Sequence, residues 1–211
     1  MDGPAAAGKT TTSLRLAERF GFSYLESGRA YRVLAYEALR SDIEPDDPSA
    51  MIELCARMVR NNLSVLLGLD RYDTGELRSA EVGRAVSLVA RISELRLRVT
   101  NCLRAWAKGN SRSIVEGRDI GTVVFPAAPL KFYLTAKPET RAARRVAQEN
   151  SGSYKQVLDD VLRRDHADMT RSVSPLKPAP DAIIIDTTDL TVDQVIDRMS
   201  AHCREAGLVE A

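Results

Sequence analysis

Apolar positions along the chain follow two patterns, short unbroken runs and longer stretches that repeat every three or four residues. The longer period predicts a helix over 10–20, with Leu14, Ala17 and Phe20 on one face and Gly21 as its stop. Phe22 to Leu25 reads as a short strand, closed by a turn at Glu26-Ser27-Gly28. A second helix runs from about Arg29 to Arg40, where Tyr31, Leu34, Ala35, Ala38 and Leu39 share a face. Asp47 before Pro48 fits a cap and first helical position. Leu63 to Leu69 reads as a strand and Arg71 to Gly75 as a turn. From Ser79 to Trp106 the spacing predicts one long helix through Val82, Val86, Val89, Ile92, Leu95, Val99 and Leu103, broken by 108–112.

The second half alternates. Strands are predicted at 113–116, 130–134 and 182–186, the last a continuous apolar run of the kind a parallel sheet buries on both faces. Pro138 opens an Arg-rich helix. Ser153 with Gln156, and Thr191 with Gln194, form capping boxes for two more helices. The first carries Val157 to Asp165, and the second has Val192, Val195, Ile196 and Met199 on its core face. Strands alternating with helices, without hairpin signals, predict an α/β fold with a parallel sheet flanked by helices. Such sheets bind ligands beyond the carboxyl ends of their strands, where Glu26-Ser27, Glu116 to Asp119 and Thr187-Thr188 fall.

Composition narrows the function classes. A chain of 211 residues suits one domain, and a net charge of +1 gives no bulk attraction to nucleic acid or membranes. Arg supplies all but six of the 30 basic residues, which suits phosphate or carboxylate recognition. Cys55, Cys102 and Cys203 are odd in number and widely spaced, against a disulfide framework or zinc site and in favour of a reducing cytosol. No apolar run approaches ~20 residues, and no signal peptide is visible.

The chemistry is announced near residue 3. Gly3-Pro4-Ala5-Ala6-Ala7-Gly8-Lys9-Thr10 matches G-x-x-x-x-G-K-[ST], with Thr11 following. Gly3 and Gly8 permit a tight turn whose N–H groups cradle phosphate oxygens; Lys9 supplies a point charge, Thr10 a hydroxyl for Mg²⁺, and the helix its positive end. Only Met1-Asp2 precede Gly3, so the expectation is either a loop without most of the strand that normally anchors it or a misassigned start. Arg32, Arg118, Arg164 and Arg171, with Asp165 and Asp168, lie on segments expected nearby. Any one Arg could be a solvated surface group. Together they suit a second, phosphate-bearing substrate meeting a triphosphate in an in-line phosphoryl transfer.

Several stretches resemble bacterial cytidylate kinases. They are Asp2-Gly3-Pro4, Leu25-Glu26-Ser27-Gly28 through Tyr31-Arg32, the run from Glu116-Gly117-Arg118-Asp119-Ile120-Gly121-Thr122 to Pro126, Arg163-Arg164-Asp165-His166, and Asp168, Arg171 and Val173-Ser174-Pro175-Leu176. The resemblance spans nearly the whole chain. It implies transfer of the γ-phosphoryl group of ATP to CMP or dCMP with Mg²⁺, in a cytoplasmic, monomeric enzyme with no nucleic-acid or membrane partner. It implies a P-loop three-layer core, a monophosphate-binding insertion over 37–95 and a lid over 138–176. The lid is expected to be mobile, its like charges lacking partners in an empty site. By the same resemblance Arg32, Arg118 and Arg171 clamp the acceptor phosphate with Ser27. Ser87, Arg96 and Asp119 read cytosine, and Arg164 and Asp168 hold the sugar. Glu116 assists Thr10 at the metal, through water. The chain departs from the family at Glu26, Arg29 and the alanines of the loop, and its 63–81 segment is short. A kinase for UMP, AMP or shikimate, and a nucleotide-binding protein without transferase activity, are the alternatives.

Overall fold

Local capping chemistry sets several helix starts. Asp47 Oδ1 accepts from the Ser49 and Ala50 N–H groups at 2.8 and 3.1 Å, and both predicted capping boxes form. In the computed structural model, which describes residues 1–61, 63–69, 72–149 and 153–210, the chain begins with α1 (Lys9–Phe20), β1 (Ser23–Glu26), α2 (Ser27–Arg40) and α3 (Pro48–Asn61). Then come α4 (Leu63–Leu66), α5 (Thr74–Leu77), α6 (Ala80–Val89), α7 (Ser93–Lys108) and β2 (Ser113–Glu116). A π-helical turn (Ile120–Val124) precedes β3 (Phe132–Thr135), α8 (Pro138–Glu149), α9 (Tyr154–Thr170), β4 (Ile183–Asp186) and α10 (Val192–Glu205). Residues group into two compact units, Met1–Leu25 with Arg112–Ala211, and Glu26–Ser111.

The first unit holds the sheet. β3 pairs in parallel with β4, from Phe132 opposite Ile183 to Thr135 opposite Asp186, and β1 lies beside β2. Met1 and Asp2 join the two pairs. The Met1 ammonium donates to the Val115 carbonyl at 2.7 Å and Gly117 N–H donates to the Met1 carbonyl. Asp2 N–H donates to Phe132 and the Asp2 carbonyl accepts from Leu134, a parallel bridge to β3. Two residues thus anchor the loop where a full strand was expected. Leu16, Phe132, Leu134, Ile185, Val195 and Met199 form the core between sheet, α1 and α10.

Three predicted core positions in this unit face water. Leu14 is 47% exposed and Leu16 takes its place, because the buried face of α1 is Thr12, Ser13, Leu16 and Ala17. Ile184 is 60% exposed, since β4 ends the strand order and Ile184 lies on the face opposite Ile183 and Ile185, which pack against the core. Val192, at the start of α10, is exposed as well. The arginines of the predicted lid do find partners: Arg141 meets Asp165, Arg144 meets Thr187, Arg163 meets Asp160 and Arg171 meets Ser174. The reason given for lid mobility, unpartnered like charges, does not hold for these four.

The second unit is helical and buries Val33, Leu34, Met51, Leu66, Leu77, Val89, Leu95 and Val99. Its bounds enclose the predicted insertion. No turn separates β1 from the next element, because Ser27 already begins α2. The strand expected at Leu63–Leu69 is the short helix α4 and a turn, burying Leu66 and Leu67; a brief apolar run suits either form. Arg71 lies outside the described residues, and Gly75 sits within α5, whose Asp73 cap accepts from Gly75 N–H at 2.7 Å. The single helix expected over 79–106 is two, α6 and α7. Ile92 leaves helical geometry, and Arg96 Nη1 donates to the Ala90 carbonyl left free at the break, at 3.2 Å. Cys55 and Cys102 are buried thiols of this unit, Cys55 pushed up to about 11 by burial. No described helix is long and apolar enough to cross a membrane.

Candidate active site

The phosphate loop runs from the sheet into α1 under tight steric limits. A Cβ on Gly3 would lie 2.1 Å from the Leu134 carbonyl oxygen, so only glycine lets the loop leave β3's side. Ala6 takes a left-handed φ of 58° and Gly8 one of 92°, directly before the first turn of α1. Alternation of hand turns successive N–H groups to one side, the concavity that binds anions. Pro4, Ala5, Ala7 and Thr10 belong to the same loop, and Thr11 is exposed on α1.

Lys9 is the site's central charge. It is 7% exposed, and its Nζ donates to the Pro4 carbonyl at 2.8 Å. Burial, with Arg118 next and Arg164 after it, lowers its pKa to about 7, against the opposing pull of Glu116 and Asp2. Burial and two arginines thus outweigh the two carboxylates around this ammonium, a balance that a polyanion would reverse.

Glu116 ends β2 and is buried. Its Oε1 accepts from the Thr10 and Tyr24 hydroxyls, both at 2.7 Å, and its Oε2 has no hydrogen-bond partner. The Thr10 proton already goes to Glu116, which leaves lone pairs on the hydroxyl oxygen for a cation. Hard oxygen donors of this kind suit Mg²⁺. Among the described residues no cluster of three or more His, Cys, Asp or Glu side chains could hold a metal alone.

Beyond β2, Arg118 donates from Nε to Asp168 Oδ2 at 3.0 Å and from Nη1 to the Gly117 carbonyl. Arg171, which follows α9, lies 3.9 Å from Asp168 and 4.0 Å from Asp119. Lys9, Thr10, Glu116, Arg118, Asp119, Arg164, Asp168 and Arg171 therefore all belong to the first unit. The other proposed acceptor residues belong to the second. Ser27 is buried at the start of α2, and Arg32 Nη1 donates to the Leu77 carbonyl at 2.8 Å. Arg96 is buried with its guanidinium 5.3 Å from the centre of the Tyr31 ring, and Ser87 is exposed on α6.

Sequence reading missed Tyr24, which orients Glu116, and Arg141, which reaches the phosphate loop from α8. Arg141 Nη1 donates to the Ala5 carbonyl at 3.2 Å. Its only sequence signal is the Arg141/Arg144 spacing of three on a helix beginning at Pro138.

A family profile described as Cytidylate kinase matches residues 1–205. The cytidylate kinase of Mycolicibacterium paratuberculosis is 44% identical over 215 residues, covering 97% of this chain and 94% of that protein. That of Nocardia farcinica is 44% identical over 209 residues, covering 95% and 90%. Among solved structures, an uncharacterized protein from Eubacterium ventriosum superposes with a TM-score of 0.54 at 13% identity, covering 97% of this chain and 96% of that one, a likeness of fold alone. The chain belongs to the cytidylate kinase family, and it is an enzyme, a nucleoside monophosphate kinase acting on CMP.

Proposed function

We propose that the phosphate loop binds ATP, that Mg²⁺ accompanies it, and that the γ-phosphoryl group passes in line to the phosphate of CMP or dCMP. The observation that carries this is Lys9, a buried cation whose surroundings hold its pKa near 7 and which a polyphosphate would recharge. Thr10 and Glu116 would hold the metal, Glu116 through water; when bound, the ion neutralises charge on the β- and γ-phosphates. Lys9 leaves the Pro4 carbonyl for the phosphates. Arg118 exchanges Asp168 for the acceptor phosphate, together with Arg171, Arg32 and Ser27. Asp168, so released, accepts from the sugar hydroxyls beside Arg164. Attack by an acceptor phosphate oxygen on the γ-phosphorus breaks its bond to the β-bridging oxygen, and ADP carries that electron pair away. The 37–95 insertion would supply acceptor contacts and the 138–176 lid would exclude water. A cytoplasmic monomer is the setting this reading implies.

Cytosine offers an amino donor at C4 and acceptors at N3 and O2. Asp119 suits the first, and Arg96 and Ser87 the others. Uracil reverses two of these, and each mispaired contact costs about 1–3 kcal/mol. ADP release measured on CMP, dCMP, UMP, AMP and shikimate tests the reading. Asp119→Ala is expected to lower kcat/KM for CMP by roughly ten- to a hundredfold while harming UMP much less. Equal losses on both acceptors would remove Asp119 from base recognition.

A further inference from the structure

Carbonyls of the phosphate loop accept hydrogen bonds from side chains. Pro4 is served by Lys9 within the loop, and Gly8 and Lys9 by Thr12 on α1; Ala5 and Ala7 are served from distant parts of the chain. Arg141 is 3% exposed and uses four of its five N–H groups. Nε donates to the Ala136 carbonyl at 2.9 Å, Nη1 to the Ala5 carbonyl and to Asp165 Oδ1, and Nη2 to Asp165 Oδ2. One helical turn on, Arg144 donates from Nη1 to Thr187 Oγ1 at 2.9 Å and from Nη2 to the Thr187 carbonyl at 2.6 Å. The Thr187 hydroxyl shares its proton between the carbonyls of Ala7, at 3.2 Å, and Thr135, at 3.1 Å. Both routes start on the same face of α8.

The two carbonyls held in this way flank Ala6, whose φ of 58° lies in the left-handed region that residues with a Cβ avoid. A residue of that hand turns its neighbours' carbonyls outward and their N–H groups inward, and anchoring both carbonyls opposes its return to ordinary geometry. We propose that α8 is a brace for the loop: Arg141 directly, and Arg144 through Thr187, hold Ala6 left-handed and so keep the loop in its phosphate-binding shape before nucleotide arrives. Arg141, Arg144 and Thr187 are then positioning residues, acting on ATP through the backbone. The inference rests on the loop being the ATP site.

Thr187→Val keeps the side chain's shape and removes its hydroxyl. Calorimetric titration with ATP and Mg²⁺ is expected to give a Kd raised about three- to tenfold, the worth of one hydrogen bond, with the Kd for CMP changed by less than about twofold. Arg141→Lys keeps a charge beside Asp165 but cannot serve four acceptors, so its loss should be larger. Ala6→Gly is the deciding partner, because glycine populates positive φ freely. Added to either variant it should recover at least about half of the lost affinity on a logarithmic scale, a larger gain than it gives the wild type. A structural role alone would weaken ATP and CMP together, and Ala6→Gly would recover nothing; either result overturns the brace. Unchanged ATP affinity in Thr187→Val overturns it too, whether or not Arg141→Lys folds. Wild-type protein without ATP affinity would instead overturn the reading of the loop itself.

Discussion

Asp165 and Asp168 stand one turn apart on α9 and each meets an arginine, yet the pairs differ in kind. Asp165 is buried, and both its oxygens are taken by Arg141, whose remaining bonds go to backbone carbonyls. Asp168 takes one bond from Arg118 and lies 3.9 Å from Arg171; the two carboxylate side chains are 12% and 19% exposed, but Arg141 is 3% and Arg118 20% exposed. A dry, two-pronged pair with satisfied partners is permanent, since separating it strands a charge. A wetter, one-pronged pair shared between arginines can trade partners at little cost. The first stands behind the phosphate loop and the second beside Arg118 and Lys9. The proposed function uses the second pair and leaves the first in place.

The comparison breaks most visibly at Asp165. Asp165→Asn leaves the Arg141 charge buried without its counter-charge, and unfolding in denaturant should show a loss of about 3–5 kcal/mol. A loss below ~1 kcal/mol would make the two pairs alike. The next effect concerns the front. Lys9, held near 7 when free, gains a proton on meeting a polyanion, because phosphate favours the ammonium. Binding therefore takes up a proton above pH 7. Measured without divalent cation, ATP affinity should be highest below pH 7 and fall by up to about tenfold per pH unit above it. A slope that survives in Lys9→Met would assign the titration to another group. The smallest effect is expected at Asp168. Asp168→Asn should change stability by no more than ~1 kcal/mol, while KM for CMP rises severalfold with kcat less affected. A large stability loss would show that this pair, too, is structural.

Legibility followed the range of the forces involved. Signals within eight residues were readable: both capping boxes, the Asp47 cap, the Gly21 stop and the phosphate loop motif. Leu14 and Ile184 failed because which face is covered depends on α10 and on the strand order, both set by distant sequence. The break between α6 and α7 was hidden because Val89, Ile92 and Leu95 are all buried and the apolar rhythm continues across it. At the site, charged residues near glycines at strand ends stood out. Arg141 did not, since its partners Ala5 and Asp165 lie 136 and 24 positions away and two of its bonds go to anonymous carbonyls.

Asp2 has a consequence for spacing. Its backbone is bonded to β3 immediately before the loop begins, while its carboxylate accepts from the N–H groups of Ile120, at 2.8 Å, and Gly121, at 2.7 Å. Those N–H groups open the π-helical turn that follows Arg118 and Asp119. The start of the phosphate loop and the end of the Arg118-Asp119 segment are thus measured from one residue, much as two gauges are zeroed on a common mark. A shift of the loop would carry the Arg118 segment with it, so the spacing between the two is kept.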